Sequence, residues 1–204
     1  MTRIGHSEKV FNMKRLLLIL ILTFSFQTLT KADDIRDFQI EGMSIWDSLL
    51  DFFNKKDINR DYVFPNKEYA THADAGKNFE TYEGFQVFYK NNDEKYRIEY
   101  IAGKILYENN VKECYKKMFQ IVEEIKKTLP NTSVTDDGMR EHVKDKSGKS
   151  KVHQVFFSLM DGEIVVSCYD WDISMQKDGT HTDTLSISLR SSEFGNWLTH
   201  EAYK

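Results

Sequence analysis

Between residues 110 and 129 the apolar positions recur every three or four residues. Val111, Cys114, Tyr115, Met118, Ile121, Val122, Ile125 and Leu129 therefore share one side of an α-helix. Lys112, Glu113, Lys116, Lys117, Glu123, Glu124, Lys126 and Lys127 take the other side. Asn110 stands at the N-cap with Glu113 at capping-box spacing, and Pro130 closes the far end. A stripe of this width needs a sheet to cover it, and the period changes to two on both sides. Upstream, Phe85, Val87 and Tyr89 alternate, Asn91-Asn92-Asp93 turns the chain, and Tyr96, Ile98 and Tyr100 return. Gly103 predicts a bulge or bend before Ile105, Leu106 and Tyr107. The tyrosines of this hairpin read as half-buried sheet residues ahead of a ligand-stacking surface.

Downstream, residues 152–159 and 163–171 predict a hairpin around a two-residue Asp161-Gly162 turn. That turn sets Leu159 opposite Ile164, Phe157 opposite Val166 and Val155 opposite Cys168, all on one apolar face. Gln154, Phe156, Ser158, Ser167, Tyr169 and Trp171 fall on the other, more mixed face. Residues 185–189 alternate as a last strand, and Ser192 caps a short helix carrying Phe194, Trp197 and Leu198. Near the start, Phe38 and Ile40 read as a short strand. Ser44, with Asp47 three residues on, then opens a helix bearing Ile45, Trp46, Leu49, Leu50 and Phe53. Residues 54–84 and 130–151 are weakly patterned. Within them, 71–77 reads as a surface loop and 144–151 as a solvated hairpin tip. The expected fold is α+β: an antiparallel sheet of about five strands, covered on one face by one long amphipathic helix, with short helices at both ends.

Lys14 and Arg15 precede an apolar run over residues 16–26, followed by small residues at Thr30 and Ala32 and the acidic pair Asp33-Asp34. This is the order of a secretory signal peptide, with cleavage expected after Ala32 and Met13 an alternative start to Met1. An apolar core of that length is short of the ~20 residues that span a bilayer. No cysteine lies near the cleavage site to take a lipid anchor. The domain expectation is thus a cleavable extension over 1–32 and one mature domain over 33–204, exported to a periplasm or the medium. Removing 1–32 takes away Arg3, Lys9, Lys14, Arg15, Lys31 and Glu8, changing the formal charge from −4 to 23 basic against 31 acidic residues, or −8. That sign argues against general binding to nucleic acid or anionic membrane.

Two cysteines, Cys114 and Cys168, are placed on core faces by helical period and by hairpin alternation. In an oxidising compartment the pair reads as a disulfide, against the alternative of two buried thiols. Thiol catalysis is not indicated, since there is no Cys-x-x-Cys and no histidine fixed beside either sulfur. Asp170, Asp172, Asp178, His181 and Asp183 gather around the connection after the hairpin as candidate ligands for a hard cation. His72 and Asp74 form a thinner pair of the same kind, with no third ligand at a fitting spacing. Gly148-Lys149-Ser150 lacks the leading glycine of a phosphate loop, because Val143 holds that position and a strand follows. There is no Gly-x-Ser-x-Gly motif, and no cofactor is expected. Phe156, Tyr169 and Trp171 are the candidate interaction patch.

The run Asp37-Phe38-Gln39-Ile40-Glu41-Gly42-Met43-Ser44-Ile45, together with residues 109–118 and Cys168-Tyr169-Asp170-Trp171, resembles a group of uncharacterised small exported bacterial proteins. The strand–Gly-Met-Ser–helix entry by itself is similar to small bacterial lipoproteins that assist outer-membrane assembly. The resemblance implies export and no particular activity, and it leads to an expectation of glycine where Trp46 stands. The functional expectation is a non-catalytic exported binding or interaction protein whose partner is an envelope protein. The alternative is a small secreted hydrolase or metal-dependent enzyme using the acidic connection 170–183.

Overall fold

Seven strands, all antiparallel, form one open sheet in the computed structural model, which describes residues 34–74, 79–108, 110–177 and 181–204. In chain order they are β1 (Tyr69–Asp74), β2 (Gly84–Lys90), β3 (Ile98–Leu106), β4 (Ser133–Glu141), β5 (Lys151–Leu159), β6 (Gly162–Asp170) and β7 (Thr184–Ser191). The helices are α1 (Val111–Thr128), α2 (Ile173–Gln176) and α3 (Ser192–His200). Across the sheet the order is β1-β2-β3-β7-β6-β5-β4. The predicted signal segment 1–32 lies outside the described residues. No helix among those described is long and apolar enough to cross a membrane.

This corrects the expectation of about five strands under one long helix. Two strands escaped because neither alternates. β1 was read as a surface loop, yet Tyr69, Ala70, Thr71 and His72 are all buried, since both faces of this strand are covered. β4 was read as polar loop, and it lies at the sheet edge almost wholly exposed. Alternation marks a strand only when one face is wet and the other dry. Both edges are guarded against further pairing. Asp61 exchanges two backbone bonds with Thr71 alongside β1. On β4 the pairing slips between Asp136 and Met139, where Gly138 takes a φ of 64°.

The long helix forms as its stripe predicts, burying Cys114, Met118, Ile121, Val122 and Ile125. Asn110 occupies the N-cap position without a side-chain capping bond, and Glu113 pairs with Lys116. The helix lies over β6 and β7. The rest of that inner face is covered by the chain before β1, which buries Ile35, Phe38, Ile40, Met43, Ile45 and Leu49. The helix expected from Ser44 does not form. Ser44 Oγ donates to the carbonyls of Phe38 and Arg36, and Asp47 accepts the Ser44 N–H. Trp46 has a φ of 69°, a left-handed conformation that stops a helix there and that suits the glycine expected at this position. Only a 3₁₀ turn at Leu49–Asp51, capped by Ser48, survives.

Cys114 and Cys168 face each other with Cα atoms 6.0 Å apart and sulfurs at bonding distance. A helix lying flat on a sheet at ~10 Å is hard to bridge, but the first turn of α1 comes in closer. The hairpin register differs from the expected one. Phe157 pairs with Ile164, Val155 with Val166 and His153 with Cys168, while Leu159 meets Gly162. The turn is Met160-Asp161, and Asp161 carries the positive φ of 62°. The slip moves each partner by two residues, so every side chain keeps its face. In the first hairpin the pairing shifts between Phe88 and Tyr89, so Ile98 and Tyr100 lie on opposite faces. Gly103 is a regular sheet position, and it leaves room for the Tyr82 ring.

On the outer face, α3 closes a second core of Phe64, Tyr69, Phe88, Phe194 and Trp197 over the β1–β3 end. Its N-cap is Ser191, one residue earlier than expected. The Ser191 hydroxyl accepts from Phe194 N–H and donates to the buried Glu99 carboxyl at 2.5 Å. Ser191→Ala removes both contacts. Losing a cap costs about 1 kcal/mol, and a stranded buried acceptor adds about 1 to 2. We expect a thermal midpoint lower by several degrees, with Ser191→Thr largely restoring it.

Candidate outer-face binding site

The outer face away from α3 is laid out in rows by the sheet register. One row runs Lys104–Ser186–Ser167–Gln154, from β3 across β7 and β6 to β5. On one side of it lies the row Ala102–Ser188–Val165–Phe156, and on the other the row Thr184–Tyr169–Val152–Arg140. Small residues hold the centre, and large side chains lie over them. Burial raises the hydroxyl pKa of both tyrosines here, with Tyr100 facing Ser188 and Ser186 and Tyr169 facing Ser167. Gln154 donates to Ser167 Oγ at 3.0 Å, Arg140 donates to Gln154, and Lys104 donates to Gln86 at 3.0 Å. This tiling explains how Ser167, Ser186 and Ser188 are nearly inaccessible.

Beyond the end of β6 the tiles become rings. Tyr169 and Trp171 stack with centroids 6.3 Å apart and planes 10° apart. The His142 and His181 rings both pack on Trp171, each with its centroid 4.3 Å from the indole. Trp171 is held from behind: its N–H donates to Asp183 and its carbonyl accepts from Gln176. Phe156, the third residue of the predicted patch, lies on the same face but apart, under the Arg190 guanidinium at 5.2 Å. Arg190 is in turn bonded to Glu163.

Cations gather around the ring stack. The pKa of His142 is lowered by burial first, then by Lys144, Arg140 and His181, with Asp145 opposing. Lys104 is lowered by burial and then by Lys144. Asp145 is committed elsewhere, its oxygens accepting from Ser147 N–H, Ser150 N–H and Ser150 Oγ. Asp137 lies 3.8 Å from Arg140. Sequence reasoning missed Lys104, Arg140, His142 and Lys144 as members of this surface. Its one usable signal was a run of basic residues just before a hairpin whose outer face was already known.

The acidic connection is used locally. Asp172 caps α2 by accepting from Ser174 N–H and Oγ, and Asp183 accepts from Trp171 and Gln176. Burial raises the pKa of Asp170 and of Asp183. Asp178 lies outside the described residues. Among the described residues, no group of three or more His, Cys, Asp or Glu side chains is placed to hold a metal. No protein-family model matches the chain, and no curated protein or solved structure is significantly similar to it.

His72, weighed above with Asp74 as part of an exposed loop, is instead 4% exposed inside β1. Its Nδ1 accepts the Asn59 N–H at 3.2 Å, between the edges of the Phe53 and Phe85 rings. Burial lowers its pKa, against weaker opposite pulls from Asp74 and Asp61. His72 and His142 are thus both harder to protonate folded than unfolded. Below the ordinary histidine pKa of about 6.5 the unfolded chain binds more protons, so stability falls as pH drops through that value. Melting measured from neutral pH to about pH 5 should show this loss. In His72→Phe the pH dependence should shrink; an unchanged slope would show that His72 is not one of its sources.

Proposed function

We propose that this chain is an exported, non-catalytic binding protein and that its binding surface is the outer face around Trp171 and Tyr169. The observation carrying this reading is the partly buried ring stack Tyr169–Trp171 with two imidazoles packed on Trp171, on a strand end that β5, β7 and the disulfide hold rigid. Rigid aromatic side chains give contact area at little cost in entropy, which is why they recur as binding anchors. Asp172 and Asp183 support the same reading, since they serve to cap α2 and to brace Trp171. Export is supported by the signal-like order of residues 14–32 and by a disulfide in a chain of this size.

The test is capture from an envelope extract by mature wild-type protein and by Trp171→Ala, followed by a direct titration of any captured partner. A partner that binds saturably to wild type and weakens at least about tenfold in the variant supports the reading, as loss of one anchor costs about 1 to 2 kcal/mol or more. Equal binding by both proteins would move the surface elsewhere. Terminal sequencing of secreted material should begin at Asp33.

A further inference from the structure

We infer that residues 54–63 form an acid-released strap, which closes over the β1 edge while His72 is neutral and opens when His72 takes up a proton. The inference concerns the β1 end of the inner face and is independent of the surface around Trp171.

The strap has little apolar anchorage. Of its residues only Ile58 is partly buried, packed against the inner core, and the others are exposed. Hydrogen bonds hold it instead. Asp61 and Thr71 exchange two backbone bonds, at 3.1 and 2.9 Å, along the edge of β1. The Tyr89 hydroxyl donates to the Asn59 carbonyl at 2.9 Å, and the Asn59 N–H donates to His72 Nδ1 at 3.2 Å. Arg60 donates to the Tyr96 hydroxyl and the Tyr62 hydroxyl to Asn91 Oδ1. A segment closed by a few hydrogen bonds, with its side chains in water, opens more readily than the sheet beneath it.

The Asn59 bond fixes the state of the imidazole. A backbone N–H can only donate, so Nδ1 keeps its lone pair and the single proton of the neutral ring sits on Nε2. Nε2 is itself buried with no hydrogen-bond partner among the described residues. A second proton has only Nδ1 to go to. There it sets donor against donor and leaves a charged ring between the edges of Phe53 and Phe85. Among the described residues, the charged groups that act on His72 are Asp74 of β1 itself and Asp61 of the strap, and both favour the cation less than burial opposes it. Its partner on β2 is the uncharged Val87, and Lys55 and Arg60 of the strap lie over the Tyr96 ring. With the strap open, His72 meets water and titrates near the ordinary value of about 6.5. The closed form is therefore fully favoured above that pH and is lost as pH falls through it, by up to about tenfold per unit. Opening bares the backbone edge of β1 that Asp61 otherwise occupies.

The experiment is amide hydrogen exchange of the full mature protein, followed residue by residue by NMR at about pH 7 and about pH 5 and corrected for intrinsic rates. In wild type the Asn59, Asp61 and Thr71 amides should open at least about a hundredfold more often than those of β6. Their opening constant should rise about tenfold or more between the two pH values. His72→Asn keeps an acceptor near the Nδ1 position and cannot titrate, so its strap should open equally at both. His72→Phe has no acceptor, and its strap should be more open than wild type at pH 7 and equally so at pH 5. Equal opening constants for the strap and β6 would mean unfolding of the whole sheet and would overturn the inference. So would a wild-type strap indifferent to pH, or a rise that persists in His72→Asn. The first two outcomes are read on wild type alone, whether or not the variants fold.

Discussion

Replacing both Cys114 and Cys168 with alanine should lower the folding free energy by about 4 kcal/mol. The figure follows from the 54-residue separation that the bond closes, through the loop-closure entropy taken from the unfolded chain. In urea this should appear as a midpoint lower by on the order of 2 M, given a slope of about 2 kcal/mol per molar for a domain of this size. The oxidised wild type with added reductant should move toward the same midpoint. The variant should still fold, because α1 keeps Met118, Ile121, Val122 and Ile125 on the sheet without the bond. A shift under about 1 kcal/mol would show that the tie contributes little beyond the packing of two small side chains.

Gly162→Ala should cost about 3 kcal/mol, which is large for one methyl group. A Cβ at position 162 would lie 2.5 Å from the Arg190 carbonyl oxygen and 2.9 Å from the Ile35 side chain. The nearer atom is backbone in a paired strand, next to the Gly162–Ser191 pair, and cannot rotate away. Relief would require β6 and β7 to part where Ser192 N–H bonds the Asp161 carbonyl and α3 begins. Asp161→Gly gives the contrast. Its φ of 62° favours glycine, so that change should be neutral or stabilising by up to about 1 kcal/mol. Chemical denaturation of the two variants separates them. If Gly162→Ala melted like wild type, the close approach of β7 to position 162 would be wrong.

Glycine at 162 also shows why the sequence was half legible. Asp-Gly is a strong hairpin signal, and a hairpin is there. The glycine, however, is required by the neighbouring strand and not by the turn, and only the fold brings that neighbour in. The faces of β5 and β6 were still assigned correctly, since a two-residue slip preserves parity. The binding surface was legible to the same degree. Phe156, Tyr169 and Trp171 were placed on one face by alternation alone. Their partners were not, because Lys104, Arg140, His142 and Lys144 sit far away in sequence and no local pattern says which strands will be neighbours.

What the chain determined by itself is whatever a periodic stripe can carry: helix 111–128, the inner face of the second hairpin, and the meeting of Cys114 with Cys168 across them. Burial on one side writes that pattern into the residues, so it can be read back from them. Tertiary structure decided the rest. β1 is buried on both faces and β4 exposed on both, so neither has a wet side and a dry side to alternate between. The order β3-β7-β6-β5-β4 is set by the packing of whole elements, and it alone gathers the cations around Trp171.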